Sequence, residues 1–301
     1  MEVVPWQLPI SLGLFTMVVN PILIKRATGL PSRTRRMVWM FGFAACYAVL
    51  FAWIVGAPIV GTWTLAIGAI GFVNSLGAYC QWRAVDISVS RTYLFTQADD
   101  FIAMALGYFV LHEYAHLADS ALLATGVAVA IAGGTAISVA RYRGADGVAV
   151  PAATFPWKQL ALWIAGYSVI WGFGHFAMRV FALEGVSVPS FVAAWYLGSY
   201  VGALSIRFLL GRAEAGAPLD ARGIRGMLLL ASTIAIALFM WTWSQSLAPI
   251  TVVQPIKQVA EMVIPTMVGL IVFKEAQGLG RGVYARFAIG IAGCAIIFIV
   301  F

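Results

Sequence analysis

The chain has 301 residues, of which 62% are hydrophobic and only 10% are charged, and its mean hydropathy is +0.92. Soluble proteins carry about 25% charged residues, so this composition excludes a soluble globular enzyme. The 19 Phe, 11 Trp and 10 Tyr exclude a disordered chain, which is poor in such residues. A membrane-spanning helix needs about 20 apolar residues, so the length allows roughly ten of them. The composition therefore predicts an all-α polytopic membrane protein.

Apolar stretches of spanning length follow one another along nearly the whole chain. They cover residues 6–24, 37–56, 62–82, 89–111, 119–140, 158–178, 188–209, 226–245, 250–272 and 284–301. We therefore predict ten transmembrane helices joined by short loops. The three cysteines lie inside these stretches without the spacing of metal ligands, so we interpret them as core residues. We predict no metal ligands and no cofactor.

Basic residues are distributed very unevenly over the predicted loops. When each loop is numbered by the helix that it follows, the odd-numbered loops and their flanks contain 17 of the 19 Lys and Arg residues. The net charge of +7 therefore indicates cytoplasmic loops rather than a nucleic-acid partner. Because basic residues stay on the cytoplasmic side, we expect both termini to lie outside the cytoplasm. The expected location is the plasma membrane, the inner membrane of a bacterium.

The two halves of the sequence share acidic residues at one offset. Glu113 and Glu275 each close an apolar stretch and are 162 residues apart, as are Asp99 and Glu261. The predicted five-helix repeats cover residues 1–145 and 146–301. Because five is an odd number, the second repeat must have the opposite orientation, and such inverted repeats place the binding site at the membrane midplane. The alternative is that any two five-helix stretches look alike in apolar composition.

Ionisable residues lie well inside only two of the predicted spans, 89–111 and 250–272. Such residues are costly in a bilayer and are functional candidates by default. In the second span, polar side chains recur every three or four residues and so share one helix face. With nearby aromatic and polar residues, the candidate binding residues are Asp99, Asp100, Lys257, Glu261, Gln97, Thr96, Gln254, Gln258, Trp171, His175 and Tyr79.

The charged candidates suggest a site for a proton, an amine or a zwitterion. Asp99 and Asp100 cannot both ionise cheaply in a low dielectric, so the pair is a candidate proton or cation site. Lys257 beside Glu261 supplies both signs of charge on one turn, so the set can hold an ammonium group on the acids and a carboxylate on the lysine. The alternative is a set of ion pairs that only hold two helices together.

Aromatic residues near these acids give a weaker indication. Trp171 and His175 are spaced to lie on one helix face, and Tyr79 lies on the predicted span 62–82. Aromatic walls beside acids can form a cage for alkylammonium groups. The alternative is that these residues belong to the membrane core or to the aromatic belts at its interfaces.

The segment His112-Glu113-Tyr114-Ala115-His116 matches the H-E-x-x-H pattern of zinc metalloproteases. In that pattern two histidines one helical turn apart bind zinc and the glutamate activates water. No third-ligand motif follows, and Glu113 is already matched by Glu275 in the other half, where no histidines flank it. A membrane zinc protease is therefore the least favoured alternative.

The order and spacing of several short motifs resemble the drug/metabolite transporter superfamily, in its ten-helix EamA-like branch. In the first half these are residues 79–90, Leu111-His112-Glu113 and the small-residue stretch 128–134. In the second half they are residues 246–250, Phe273-Lys274-Glu275 and 289–293. The resemblance implies a substrate path between two five-helix halves, alternating access, and export or exchange of small metabolites. The chain departs from that family in its charged core and in the predicted location of its termini.

These patterns together predict a secondary transporter for a small polar solute that is amine-bearing or zwitterionic, with proton coupling as an option. The expected partners are the solute and the lipid bilayer, and we expect no nucleic acid and either a monomer or a homodimer. We predict no enzymatic activity, and no nucleotide-binding motif suggests ATP as a driver. A non-transporting membrane scaffold or partner subunit is the alternative from another class.

Overall fold

The computed structural model describes residues 5–138, 156–210, 217–273 and 281–301. Every regular element in these ranges is helical, which confirms the predicted all-α class. In chain order the helices are α1 (Gln7–Thr28), α2 (Arg33–Ile54), α3 (Thr64–Ile87), α4 (Val89–Phe95), α5 (Ala98–Phe109), α6 (Ala115–Ala118), α7 (Ala121–Ser138), α8 (Trp157–Leu183), α9 (Val188–Leu210), α10 (Ala221–Leu247), α11 (Ile250–Ile271) and α12 (Arg281–Val300).

Five helices, α1, α2, α8, α9 and α10, are long and apolar enough to cross a membrane. They have 22 to 27 residues. At about 1.5 Å per residue they reach roughly 33 to 40 Å, enough for a hydrocarbon core of about 30 Å. Two shorter apolar stretches lie in α7 and α12. The described helices are therefore compatible with a helical membrane protein.

The predicted continuous span 89–111 is wrong in one respect, because the chain forms two helices there. The helix α4 ends at Phe95, and α5 begins at Ala98, so Thr96 and Gln97 interrupt the helix. The apolar content of this stretch gave no sign of an interruption. A break in a membrane helix leaves backbone N–H and C=O groups that only a protein interior or a water-lined cavity can satisfy.

The helices form two compact units, and each unit takes segments from both halves of the sequence. Unit 1 consists of Met1–Asp86 and Ala177–Leu247, and unit 2 consists of Ile87–Phe176 and Ala248–Phe301. Within unit 1, α2 packs on α9 and α10, and α10 also packs on α1 and α9. Within unit 2, α11 packs on α4, α5, α7 and α12.

Close approach of small residues brings α3 and α9 together in unit 1. A Cβ atom added to Gly71 would overlap the carbonyl of Trp195, and one added to Gly198 would overlap the carbonyl of Gly68. At this crossing Ser199 Oγ donates a hydrogen bond to the Gly71 carbonyl (2.9 Å), and Asn74 Nδ2 donates to Ser199 Oγ (3.2 Å). Membrane helices commonly combine small residues with such polar contacts where their backbones meet.

The two glycine-rich helices of the sequence motifs, α7 and α12, pack against each other in unit 2. A Cβ atom at Gly133 would overlap the backbone nitrogen of Gly290, and one at Gly293 would overlap that of Ala130. The absence of side chains at these positions therefore determines how near the two helices can come.

Replacing Gly133 with Ala should lower the thermal stability of the purified protein, because the added methyl group forces α7 and α12 apart. Overpacking of this kind costs about 1–3 kcal/mol. The matched control is Gly282→Ala on α12, where an added Cβ has nothing within 4 Å. Melting curves in detergent provide the measurement, and equal melting temperatures for both variants would contradict the described packing.

Candidate functional site

Most of the candidate residues come together in unit 2, where α5 begins, α11 passes and α8 contributes one histidine. Asp99 and Asp100 lie in the first turn of α5, immediately after the interruption at Thr96 and Gln97. The free N–H groups at a helix N-terminus favour negative charge, so this turn is a suitable place for two acids. The side chains of both aspartates are fully buried.

Lys257 on α11 forms two ion pairs inside the protein. Its Nζ atom lies 3.0 Å from Asp100 Oδ1 and 2.8 Å from Glu261 Oε1. The exposed fraction is 1% for the lysine side chain and 17% for that of Glu261. Gln254 Nε2 also donates a hydrogen bond to Asp100 Oδ1 (2.6 Å). Asp100 and Lys257 are thus a fully buried pair that neutralises one acid of the cluster.

Asp99 has no comparable partner. Among the described residues neither of its carboxylate oxygens has a hydrogen bond, although both are buried. Across the helices it faces His175 on α8, whose Nε2 lies 3.7 Å from Asp99 Oδ2. This distance exceeds the 2.7–3.2 Å range typical of N–H···O hydrogen bonds. Asp99 is therefore a buried acid without the hydrogen bonds that normally offset burial.

The remaining polar candidates form the surroundings of these charges. Gln258 Nε2 donates a hydrogen bond to Gln97 Oε1 (3.2 Å), which links α11 to the interruption before α5. At the same interruption the Thr96 carbonyl accepts a hydrogen bond from Ser168 Oγ of α8 (3.4 Å). Ser168 was not identified from the sequence, because an isolated serine in an apolar helix carries no pattern. These bonds satisfy part of the backbone and side chains where the helix is broken.

The aromatic candidates fall in different places. The rings of Trp171 and His175 lie 5.3 Å apart, which places a half-buried tryptophan beside the histidine that faces Asp99. Tyr79 belongs to unit 1, where the guanidinium groups of Arg33 and Arg83 lie 5.6 and 6.0 Å from its ring centre. Trp171 therefore belongs to the surroundings of the charged cluster, and Tyr79 has arginine neighbours in its own unit.

The HExxH segment does not have the geometry that zinc binding requires. His112 has a positive φ of 56° and lies outside any helix, and the following helix α6 has only four residues. The Glu113 carboxylate instead accepts a hydrogen bond from the Ile250 backbone N–H (2.7 Å), at the N-terminus of α11. Glu113 therefore acts as a cap for α11. Its predicted counterpart Glu275 lies outside the described residues.

Comparison with known proteins gives a likeness of fold only. No protein-family model matches the sequence, and a search of curated proteins found no match. A solved structure described as "Crystal structure of protein" is similar to this chain, with a TM-score of 0.71 and 16% sequence identity. The match covers 97% of this chain and 99% of that chain. The likeness therefore shows a common fold along nearly the whole length, and a common fold does not determine function.

Asp100→Asn should destabilise the protein and Asp99→Asn should not, although the chemical change is the same. Asp100→Asn removes one of the two charges that balance Lys257, and breaking a buried ion pair costs about 3–5 kcal/mol. Asp99→Asn removes a buried acid without hydrogen bonds, so the melting temperature should stay the same or rise. Thermal unfolding of the two purified variants provides the measurement. Equal destabilisation would show that Asp99 is paired as firmly as Asp100.

Proposed function

We propose that the chain is a secondary transporter that moves a small polar, amine-bearing or zwitterionic solute by alternating access. The observation that carries this proposal is the buried Asp99 carboxylate, which has no hydrogen-bond partner among the described residues. An isolated charge in an apolar interior is expensive unless something neutralises it. A proton or the ammonium group of a solute would supply that neutralisation, and exchange between them would couple the two fluxes.

The geometry favours the amine of the solute over its carboxylate as the main determinant of binding. Lys257 is already balanced by Asp100 and Glu261, so a solute carboxylate must displace one of these acids. Glu261 is the more exposed of the two and is the one that a zwitterion would displace. An ammonium group needs no displacement, because Asp99 has acceptor oxygens to offer and Trp171 adds an aromatic surface near His175.

The position of the acids also supports transport. Transporters commonly place their binding groups at helices that are broken near the midplane, since the freed helix ends bind charged groups. The break between α4 and α5 puts Asp99 and Asp100 at such a helix start. We propose that ten spans form two inverted repeats, 1–145 and 146–301, and that the chain is related to the EamA-like branch of the drug/metabolite transporters.

The scaffold alternative explains only part of the cluster. A structural role requires the charged residues to pair with each other. Lys257 does form ion pairs with Asp100 and Glu261. The Asp99 side chain links no two helices by a hydrogen bond, because neither carboxylate oxygen has a partner within the described residues. The protease alternative is disfavoured because His112 lies outside any helix and Glu113 is engaged by α11. We therefore propose that the chain is not an enzyme.

The orientation of the proposed transporter follows from its loop charges. We expect the C-terminus after α12 to lie outside the cytoplasm, because the basic residues of the odd-numbered loops stay inside. A C-terminal fusion to a reporter that fluoresces only in the cytoplasm should remain dark in a bacterial inner membrane. A fusion to alkaline phosphatase, which is active only outside, should be active and serves as the control. A bright fluorescent fusion would contradict this orientation.

Transport should depend on Asp99. We expect purified protein in liposomes to accumulate at least one member of a panel of radiolabelled amines and amino acids when a pH gradient is imposed. Asp99→Asn should abolish this accumulation, because an amide can neither carry the proton nor hold the ammonium charge. The matched control is Asp119→Asn, the same change at an exposed position, and it should transport normally. Accumulation by Asp99→Asn equal to that of the parent at every pH would contradict the proposal.

A further inference from the structure

Three buried side chains in unit 2 bring potential metal ligands close together. Asp99 and Asp100 on α5 and His175 on α8 each offer one ligand atom, and these atoms all lie within 4.8 Å of one another. The exposed fraction of all three side chains is 2% or less. Sequence reasoning named each residue but assigned no metal ligands, because the histidine is distant from the acids along the chain.

Several atoms of this group are available for a ligand. Within the described part of the chain, both oxygens of Asp99 and Oδ2 of Asp100 make no hydrogen bond, and His175 Nε2 lies 3.7 Å from Asp99 Oδ2. The other Asp100 oxygen receives Lys257 and Gln254, so these contacts leave Oδ2 unused. Buried polar atoms normally have partners, so the three unsatisfied carboxylate oxygens of Asp99 and Asp100, beside His175 Nε2, indicate a place for a ligand.

The spacing suits a metal ion better than a direct hydrogen bond. Asp99 Oδ2 and His175 Nε2 are 3.7 Å apart. Two ligands bound tetrahedrally at about 2.1 Å from one ion are separated by about 3.4 Å. Only a small adjustment of either side chain would therefore place both atoms on one ion, whereas the present distance is too long for a good hydrogen bond.

The charge of the cluster also calls for a cation. With all three acids ionised, Asp99, Asp100 and Glu261 carry three negative charges, and among the described residues Lys257 is the basic residue that pairs with them. A neutral His175 leaves an excess of two negative charges, and binding of a divalent cation would bring the sum to zero. Such compensation matters most in an apolar interior.

We propose that Asp99, Asp100 and His175 form a binding site for one divalent first-row transition-metal ion, such as Zn²⁺ or Co²⁺. The imidazole ligand selects this class over Mg²⁺ and Ca²⁺, which prefer oxygen ligands alone. Three protein ligands leave a fourth position for water or for a donor atom of a solute. The proposal goes beyond transport of an amine, because the metal and an ammonium group would compete for Asp99.

The three histidines of the chain allow a sharp test. Full-length protein in detergent, stripped of metal, is titrated with Co²⁺ and followed by its visible absorption, and bound Zn²⁺ is counted separately by mass spectrometry. We expect one ion per chain. His175→Ala should weaken binding about 100-fold or more, beyond the 10–100-fold loss that a second-shell residue typically causes. Asp99→Asn should do the same while remaining folded.

The matched control is the double variant His112→Ala/His116→Ala, which removes two exposed histidines of the HExxH segment. It should bind Co²⁺ like the parent. If this variant loses the ion and His175→Ala keeps it, the HExxH segment is the metal site and the proposal is wrong. Failure of the parent to bind one ion also overturns it. If His175→Ala does not fold, the Co²⁺ affinity of Asp99→Asn tests the proposal, because asparagine is nearly isosteric with aspartate. Because binding is measured without transport, neither result depends on the transport assay.

Discussion

The ion pair between Lys257 and Asp100 is the contact on which the candidate site depends. A fully buried ammonium group in an apolar protein requires acids within a few ångströms, and it receives Asp100 from α5 and Glu261 from its own helix. This arrangement fixes α11 beside the start of α5. The two aspartates of the cluster therefore differ: Asp100 is paired with Lys257, whereas Asp99 lies beside His175 without a hydrogen bond to its carboxylate among the described residues.

Most residues of the candidate site could be predicted from the sequence because charged residues inside long apolar stretches are rare and easily recognised. Their pairing could not be predicted, since the spacing on α11 shows a polar face without showing which acid the lysine contacts. The closeness of His175 to Asp99 is a tertiary contact between α8 and α5 and leaves no local signature. The HExxH pattern is misleading in the opposite way. The local sequence suggests zinc binding, but His112 has a positive φ and lies outside any helix, so the two histidines do not share a helix face.

The helical class was predictable because the hydrophobic stretches are long and nearly continuous. The structure departs from the predicted span 89–111 at a place where polar contacts reach the chain from two other helices. At the break, Ser168 of α8 donates a hydrogen bond to the backbone carbonyl of Thr96, and Gln258 of α11 donates one to the side chain of Gln97. Hydropathy is averaged over a whole span, so two polar residues do not lower it enough to show a break, and a single helix is predicted over 89–111. The glycine-rich motifs were more informative, because they became the α7–α12 contact.

Asp100 of α5 and Glu113, in the segment that follows α5, attach this part of the chain to α11 at two separate points. Ile250, which donates its backbone N–H to Glu113, and Lys257, which pairs with Asp100, are seven residues apart on α11. At about 1.5 Å per residue, the hydrogen bond and the ion pair are roughly 10 Å apart along the helix axis. One bond alone would permit the helices to swivel about it, whereas two at this separation resist both sliding and rotation. Loss of either contact would therefore leave the first two turns of α11 attached to this part of the chain by only one of these two polar contacts.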